Sequence, residues 1–178
     1  FGFMPFYPGP GLGGHCIPVD PLYLSWKLRT LKYEARFIDL ADQINTAMPE
    51  IVVERVQDAL NDRHKPLRGA KVLIIGVAYK RDIDDVRESP ALDVIELLKR
   101  KGARVDYHDP YVPTLRLGEE QLQSRLLDGL ADYEAVVILT DHSSIDYRRL
   151  VEEARLVVDT RNATRAVRAV AKAQLVRL

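Results

Sequence analysis

Lys71-Val-Leu-Ile-Ile-Gly76 gives the clearest indication of the fold class of this 178-residue chain. Four consecutive branched apolar residues that end in glycine predict a short strand buried on both faces, which is typical of a parallel sheet. Ser89-Pro90 then has the N-cap and first-turn proline that open a helix, predicted to run to about Lys101. A strand followed by a helix at this spacing is the repeating unit of an α/β domain.

The same alternation continues to the C-terminus. Short apolar runs predict further strands at residues 103–107, 135–140, 156–159 and 174–178. Such strands, alternating with amphipathic helices, indicate a parallel sheet with helices on both faces. Because ligands of these sheets bind beyond the carboxyl ends of the strands, the loops to inspect are those after Gly76, Tyr107, Thr140 and Asp159.

The N-terminal part of the chain follows a different pattern. Residues 1–19 are rich in proline and glycine and predict a loop, after which Asp20-Pro21 reads as the N-cap and first residue of a helix to about Lys32. Apolar residues at helical spacing predict a second helix over 35–61, with a kink at Pro49. So long a helix predicts a connector between domains or a dimer interface. The pattern breaks near residues 61–69, giving predicted regions 1–66 and 67–178.

Composition excludes several functional classes. Lys plus Arg and Asp plus Glu each total 26, so no basic surface for nucleic acid or a polybasic membrane contact is predicted. No apolar run approaches the roughly 20 residues of a membrane span. A single cysteine cannot form an internal disulfide, which favours a reducing cytoplasm. The chain begins at Phe1 inside a loop, so we expect it to be a part of a longer protein.

Cys16 is the first candidate for chemistry. A lone cysteine is usually a small buried apolar residue. Here Gly13 and Gly14 precede it and a predicted helix follows, and glycines and a helix N-terminus both suit a reactive thiolate. Asp20 satisfies the role of helix cap but also lies close enough in sequence to assist the thiol. His15 is expected to point away from Cys16, because neighbours in an extended loop do so.

The candidates for anion binding are three cations. Lys80 and Arg87 lie in the loop after the first strand, which ends at a helix N-terminus, where phosphates bind readily. Arg161 follows the end of a later strand and could clamp a phosphate with two hydrogen bonds. Each is also compatible with a solvated surface charge. Gly76 alone is not a dinucleotide fingerprint, since the other two glycines of that motif are missing.

Three motifs together resemble a known family. Gly9-Pro-Gly-Leu-Gly-Gly-His-Cys-Ile-Pro-Val-Asp20-Pro21 is similar to the catalytic-cysteine loop of the UDP-glucose/GDP-mannose dehydrogenase family. Gly76-Val-Ala-Tyr-Lys80-Arg-Asp with Asp85-Val-Arg87-Glu-Ser-Pro90 resembles the start of that family's UDP-binding domain, and Asp159-Thr-Arg161-Asn its final arginine motif. The form of the cysteine loop, with Val19 where UDP-glucose members usually have lysine, is most similar to members that act on UDP-N-acetylhexosamines.

The resemblance implies a fold, an activity and a set of roles. It implies a Rossmann-like UDP-binding domain preceded by the catalytic-cysteine loop and by a connecting helix, residues 35–61, that forms a homodimer or a larger assembly. It implies NAD-dependent oxidation of the C6 alcohol of a UDP-sugar to the uronate, through a thioester on Cys16, for surface polysaccharide synthesis. Asp20 would assist the cysteine and water, and Arg87 would reach NAD, which is bound mainly outside this chain. The implied substrate contacts are Phe6, Tyr7, Pro8, Gly9, Gly13, Tyr79, Lys80 and Arg161.

Other functions remain open at this point. A free-standing NAD-binding domain would use Asp109 as its ribose acid. A cysteine hydrolase would pair Cys16 with His142. A non-catalytic module for UDP binding and dimerisation would use the same three motifs on which the family resemblance rests. An enzyme that acts on UDP-glucose would use them as well.

Overall fold

The computed structural model describes residues 2–3 and 6–178, so Phe1, Met4 and Pro5 of the predicted loop lie outside the described part. A five-stranded parallel sheet has the order β2-β1-β5-β6-β7. Its strands are β1 (Lys71–Ile75), β2 (Arg104–His108), β5 (Ala135–Ile138), β6 (Leu156–Asp159) and β7 (Gln174–Arg177). All five predicted strands are present within two residues of their predicted bounds, and the α/β fold class is confirmed.

Helices cover both faces of the sheet. On one face, α2 (Arg36–Asn61) and α3 (Pro90–Arg100) bury Val52, Val56 and Leu98 against the side chains of Val72 and Ile74. On the other, α4 (Tyr147–Glu153) and two short 3-10 segments pack against Leu73, Ile75 and Val136. Successive side chains of one buried strand therefore enter two cores, and this explains the unbroken apolar runs in the sequence.

Helix α3 begins as its sequence predicts. Ser89 accepts a hydrogen bond from the Ala91 amide, and Pro90 occupies the first helical turn, where its missing N–H costs nothing. Ser89 and Pro90 are buried, so this cap fixes the start of α3 beside the loop that follows β1.

Helix α1 (Cys16–Thr30) begins five residues earlier than predicted. The predicted N-cap, Asp20, lies inside the helix, and the helical hydrogen bonds start with Val19 N–H donating to the His15 carbonyl at 3.3 Å. Pro18 stands in the first turn, where no backbone donor is needed, so it takes the place that the sequence assigned to Pro21. The prediction that Asp20 caps the helix is therefore wrong.

Helix α2 matches its predicted span and continues through Pro49 without a break. Its C-terminal half is buried on the sheet, whereas Phe37, Leu40 and Ile44 in its N-terminal half are 88%, 51% and 54% exposed. Among the described residues, no helix is long and apolar enough to cross a lipid bilayer.

A β-hairpin between β2 and β5 was not predicted. It consists of β3 (Thr114–Leu117) and β4 (Glu120–Gln123), paired antiparallel beside the sheet. Leu115 is its one fully buried side chain, so the strands carry little of the apolar alternation by which strands are recognised.

Candidate active site

The order of the strands creates a crevice at the carboxyl edge of the sheet. From β1 the chain crosses to β2 on one side, and later to β5 on the other side of β1. The loops after β1 and β5 consequently diverge, and this is the place where parallel sheets bind ligands. The crevice is lined by Pro10 and Gly11 of the cysteine loop, by residues 78–81 and 89–91, and by Leu139, Thr140 and Arg161.

Gly76, directly after β1, packs against the neighbouring loop after β5. Its φ of +79° favours glycine, and an added Cβ would lie 2.5 Å from the Cβ of Thr140. Thr140 donates a hydrogen bond to the Ala78 carbonyl at 2.6 Å, which ties the two loops together. Gly76 therefore serves loop packing, and no phosphate can approach its backbone from the side that Thr140 occupies.

The charged side chains that line the crevice are Lys80, Arg81 and Arg161. Asp141 holds the two arginines: Arg81 donates to its carbonyl at 2.9 and 3.1 Å, and Arg161 Nε lies 3.5 Å from its carboxylate. Lys80 is exposed and makes no hydrogen bond or ion pair with any residue that the structure describes. Among the described residues, the lining of the crevice thus carries three cations and no carboxylate, which suits a diphosphate.

Asp159 shapes the loop that carries Arg161. One carboxylate oxygen accepts the amides of Arg161 and Ala163 at 3.0 and 3.1 Å, and the other accepts the amide and hydroxyl of Thr164. This buried carboxylate at the end of β6 turns the chain back on itself, so that the Arg161 side chain lies over the crevice. The predicted strand-end arginine thus owes its position to the aspartate two residues before it.

A buried pair, Asp109 and His142, fixes the loop after β1. Asp109 accepts hydrogen bonds from the Val77 and Ala78 amides at 2.7 and 3.1 Å, and from His142 Nε2 at 3.0 Å. His142 Nδ1 accepts the Asp82 amide at 2.9 Å, so the ring proton lies on Nε2. Both ends of the segment that carries Tyr79, Lys80 and Arg81 are therefore anchored to this pair.

The environment of Asp109 also sets its charge state. Burial raises the pKa of this carboxyl, but the hydrogen bonds from His142 and from the Val77 and Tyr111 amides outweigh burial and leave the pKa below its ordinary value of 3.8. Asp109 is thus an ionised structural group.

These contacts remove two of the alternative functions. Asp109 is only 2% exposed and all of its hydrogen bonds go to the protein, so it cannot bind a ribose as the acid of an NAD-binding domain. His142 is 0% exposed with both ring nitrogens engaged, so it cannot serve Cys16 as the base of a hydrolase.

The cysteine loop packs on the loop after β1 through its glycines. Gly14 N–H donates to the Arg87 carbonyl at 3.0 Å. An added Cβ at Gly13 would lie 2.6 Å from Tyr79 Cβ, and Gly9 leaves similarly little room beside Arg161. In this arrangement the open sides of these glycines face the protein's own side chains, so a nucleotide that approaches Gly13 or Gly14 must displace Tyr79.

Cys16, Asp20 and His15 form a cluster at the start of α1. Their sulfur, carboxylate oxygen and ring nitrogen all lie within 4.8 Å of one another, and all three residues are exposed. Cys16 and Asp20 share a helix face because they are four residues apart. His15 has helical φ and ψ of −97° and −51°, so the expectation that it points away from Cys16, which assumed an extended loop, is wrong.

The other predicted site residues lie around this core. Phe6 and Tyr7 are 71% and 77% exposed, and Pro8 is exposed beside them. Arg87 is exposed and its guanidinium is held by the Asp85 carboxylate, with contacts of 2.6 and 3.0 Å. The structure therefore brings together Gly9, Gly13, Tyr79 and Arg161, and leaves Arg87 on the outside.

A second cleft, of about 1030 Å³, lies between α1 and the N-terminal half of α2. It is lined mainly by apolar side chains such as Ile17, Trp26 and Phe37, and its charged lining residues, among those described, are Asp42, Glu88 and Asp93. An acidic cleft repels a diphosphate. The narrow crevice of about 20 Å³ is the better anion site despite its size, because its cations are already in place.

Sequence reasoning missed several residues of this region. Arg81 stood inside a quoted motif but was not singled out, and Asp141 was not considered. Asp109 and His142 were considered only for other functions. The one available signal was their position directly after strand ends, since burial and mutual contact of residues 33 positions apart become visible only in the fold.

Comparison with known proteins gives consistent results along the whole chain. The model of the UDP-glucose/GDP-mannose dehydrogenase family, UDP binding domain, matches residues 73–166. The model of the same family's central domain matches residues 1–47.

Curated relatives and solved structures agree with these matches. UDP-N-acetyl-D-mannosamine dehydrogenase of Methanococcus vannielii is 32% identical over 163 residues, covering 87% of this chain and 36% of the relative. NDP-N-acetyl-D-galactosaminuronic acid dehydrogenase of Ralstonia nicotianae is 34% identical over 168 residues, covering 90% of this chain and 37% of the relative. The structure of the UDP-D-ManNAc dehydrogenase from Pyrococcus horikoshii superposes with a TM-score of 0.78 at 28% identity, over 96% of this chain and 40% of that one.

The chain thus spans little more than a third of the length of these curated relatives. The family model for the UDP-binding domain covers more than half of the chain, from β1 to the loop that carries Arg161. This chain belongs to the UDP-glucose/GDP-mannose dehydrogenase family.

Proposed function

We propose that the chain is the substrate-binding and thiol-bearing part of an NAD-dependent nucleotide-sugar 6-dehydrogenase. The proposed substrate is UDP-N-acetylglucosamine or UDP-N-acetylmannosamine, and the product is the uronate used in surface polysaccharide synthesis. The observation that carries the proposal is the docking of the Cys16 loop on the cation-lined crevice, through Gly13 on Tyr79 and Gly14 on Arg87. This docking supports the proposal because it holds the loop that bears the thiol against the loop that carries Lys80.

In the proposed complex the uridine diphosphate lies in the crevice. Lys80 and Arg161 bind the diphosphate, and Tyr79 packs beside them once it has moved off Gly13 and Gly14. Residues 6–9 and Gly13 cover the sugar. The three cations that line the crevice favour this ligand over a neutral sugar.

Cys16 would supply the covalent chemistry. NAD, when bound, would supply the hydride acceptor for both oxidations at C6, that of the alcohol and that of the thiohemiacetal. The Cys16 thiolate adds to the intermediate aldehyde, and the thioester left after the second oxidation is hydrolysed by water to the uronate and the free thiol. Asp20, on the same helix face as Cys16, would orient that water.

Two of the residues that could have bound NAD are engaged by the protein itself. Gly76 packs against Thr140 and Asp109 is buried, so Arg87 is the remaining candidate contact. We therefore propose that NAD is bound mainly by parts of the longer protein, with Arg87 leaving Asp85 to reach it.

Two other functions remain compatible with the crevice. UDP-glucose has the same uridine diphosphate and differs only in the sugar. A non-catalytic module for UDP binding and dimerisation would use the same crevice, and the exposed apolar N-terminal half of α2 would suit its dimerisation.

The Cys16→Ser variant of the full-length protein tests the catalytic proposal. A hydroxyl is far less nucleophilic than a thiolate but has nearly the same size. We therefore expect UDP-sugar binding to persist while turnover stalls, with an ester on the serine or free aldehyde detected by mass spectrometry. UDP-glucose, UDP-N-acetylglucosamine and UDP-N-acetylmannosamine are compared as substrates, and two NADH should form per uronate in the wild type. Wild-type turnover by the serine variant would remove Cys16 from the mechanism.

A further inference from the structure

The His15–Cys16–Asp20 cluster has the composition of a transition-metal site. A thiolate, an imidazole and a carboxylate are the three ligand types that Zn²⁺ takes from proteins, usually three or four at a time. Their donor atoms lie within 4.8 Å of one another, on three side chains that are all exposed. Tetrahedral Zn²⁺ with bonds of about 2.0–2.3 Å holds its ligand atoms roughly 3.5 Å apart. Rotation of the exposed side chains is enough to bring the three donor atoms to that separation.

The early start of α1 creates this cluster. With the helix beginning at Cys16, Cys16 and Asp20 lie four residues apart on one face, and His15 at the N-cap position adds its ring from the end of the helix. A helix beginning at Pro21, as the sequence predicted, would leave Cys16 and Asp20 without this fixed spacing.

The charges of the cluster also suit a divalent cation. A thiolate and a carboxylate supply two negative charges, and a neutral imidazole supplies the third ligand. The sulfur and nitrogen donors favour Zn²⁺ over Mg²⁺ or Ca²⁺, which require mostly oxygen ligands. The partial positive charge at the helix N-terminus opposes a cation, but it also favours the two anionic ligand forms.

We propose that His15, Cys16 and Asp20 bind Zn²⁺ or a similar divalent transition-metal ion, and that the bound ion masks the Cys16 thiol. Binding itself does not depend on the proposed enzymatic function. Inhibition of turnover by the ion, reversed by a chelator, does rest on that function.

Metal titration of the 178-residue chain tests the binding. Zn²⁺ is followed by calorimetry and Co²⁺ by absorption, where a Cys ligand produces a thiolate-to-cobalt charge-transfer band. We expect one ion per chain, loss of the band in Cys16→Ser, and at least about tenfold weaker binding in His15→Asn and Asp20→Asn. The matched controls His64→Asn and Asp58→Asn alter exposed residues elsewhere and should stay within about twofold of the wild type.

Alkylation of Cys16, the one cysteine of the chain, provides an independent readout. Zn²⁺ should slow its modification by iodoacetamide at least about tenfold, EDTA should restore the rate, and Mg²⁺ should have no effect. Absence of binding by the wild type, binding that Cys16→Ser retains, or equal losses in His15→Asn and His64→Asn would overturn the site. If the chain binds Zn²⁺ but the full-length protein has no dehydrogenase activity, the proposed function fails and the metal site stands.

Discussion

Single residues of the crevice carry the affinity for the nucleotide in our proposal. Lys80 and Arg161 follow two different strands, β1 and β6, and the parallel sheet brings both loops to one edge. Charge-assisted hydrogen bonds to phosphate contribute roughly 1.5–3 kcal/mol each when partly desolvated. Arg161 already contacts Asp141, so part of the free energy that Arg161 gains by binding phosphate is offset by the loss of that contact.

We expect Lys80→Ala and Arg161→Ala each to weaken UDP binding by about one to two orders of magnitude. Calorimetric titration of the chain with UDP measures this. Lys71→Ala and Arg155→Ala are matched controls, because these exposed cations lie at the amino ends of the same two strands, at the opposite edge of the sheet. The UDP site is misplaced if both crevice variants bind UDP as the wild type does, or if the controls weaken binding equally.

At the scale of elements, the Asp109–His142 pair links β2 and β5 to the loop after β1. Asp109→Asn replaces one acceptor oxygen by an NH₂ group that faces backbone amides, in a position that is only 2% exposed. Leaving such donors unpaired in the interior should reduce the free energy of unfolding by about 3 kcal/mol near neutral pH. His142 would lose its ionised partner at the same time.

This effect should depend on pH in a defined direction. The folded-state pKa of Asp109 lies below its ordinary value of 3.8, so its ionised form stabilises the fold above that value, and the stabilisation is lost as pH falls through the lowered pKa. The difference in unfolding free energy between wild type and Asp109→Asn should therefore shrink below about pH 4. Urea denaturation at several pH values measures it, with the exposed Asp58→Asn as control. A difference that stays constant from pH 7 to pH 3 would contradict this assignment.

The N-terminal half of α2 presents the apolar face for which we predict self-association. Phe37 and Ile44 are 88% and 54% exposed, far more than an isolated domain usually leaves uncovered on one helix. We expect the chain to associate in a concentration-dependent way, and Phe37→Asp with Ile44→Asp to shift it to the monomer. Light scattering after size exclusion measures the mass. Leu126→Asp, at a loop residue that is 77% exposed, is the control. A wild type that stays monomeric at high concentration refutes the prediction.

The elements also show what the sequence could predict. Strands β1, β5 and β6 were predicted because burial on both faces forces an unbroken apolar run, which few other structures require. The start of α1 was mistaken because Asp20-Pro21 imitates a cap while Pro18 already occupies the first turn. The proximity of Cys16 to His15 and Asp20 followed from that start, so the error in one boundary hid the geometry of the candidate site. The Asp109–His142 pair depends on tertiary contact alone and had no local signal.

At the scale of the whole molecule, the structure supports one nucleotide crevice and no dinucleotide loop among the described residues. The crevice carries three cations, whereas the larger cleft carries Asp42, Glu88 and Asp93. Electrostatics alone therefore separates the two cavities for an anionic ligand.

The last prediction concerns the ligands of the 178-residue chain. UDP should stabilise the chain, and NAD should not. The chain alone should not form NADH from any UDP-sugar. UDP at 100 times its dissociation constant adds about 2.7 kcal/mol to the native state, a rise in melting temperature of about 5–10 °C for a chain of this size. NAD lacks a matching loop, because Gly76 is packed against Thr140 and Asp109 is buried. Differential scanning fluorimetry with UDP, NAD and uridine measures which of these ligands stabilises the chain. The absorbance of NADH at substrate saturation measures whether the chain oxidises a UDP-sugar. Stabilisation by NAD and not by UDP would reverse the assignment of the crevice, and steady NADH production would show that the residues present here suffice for catalysis.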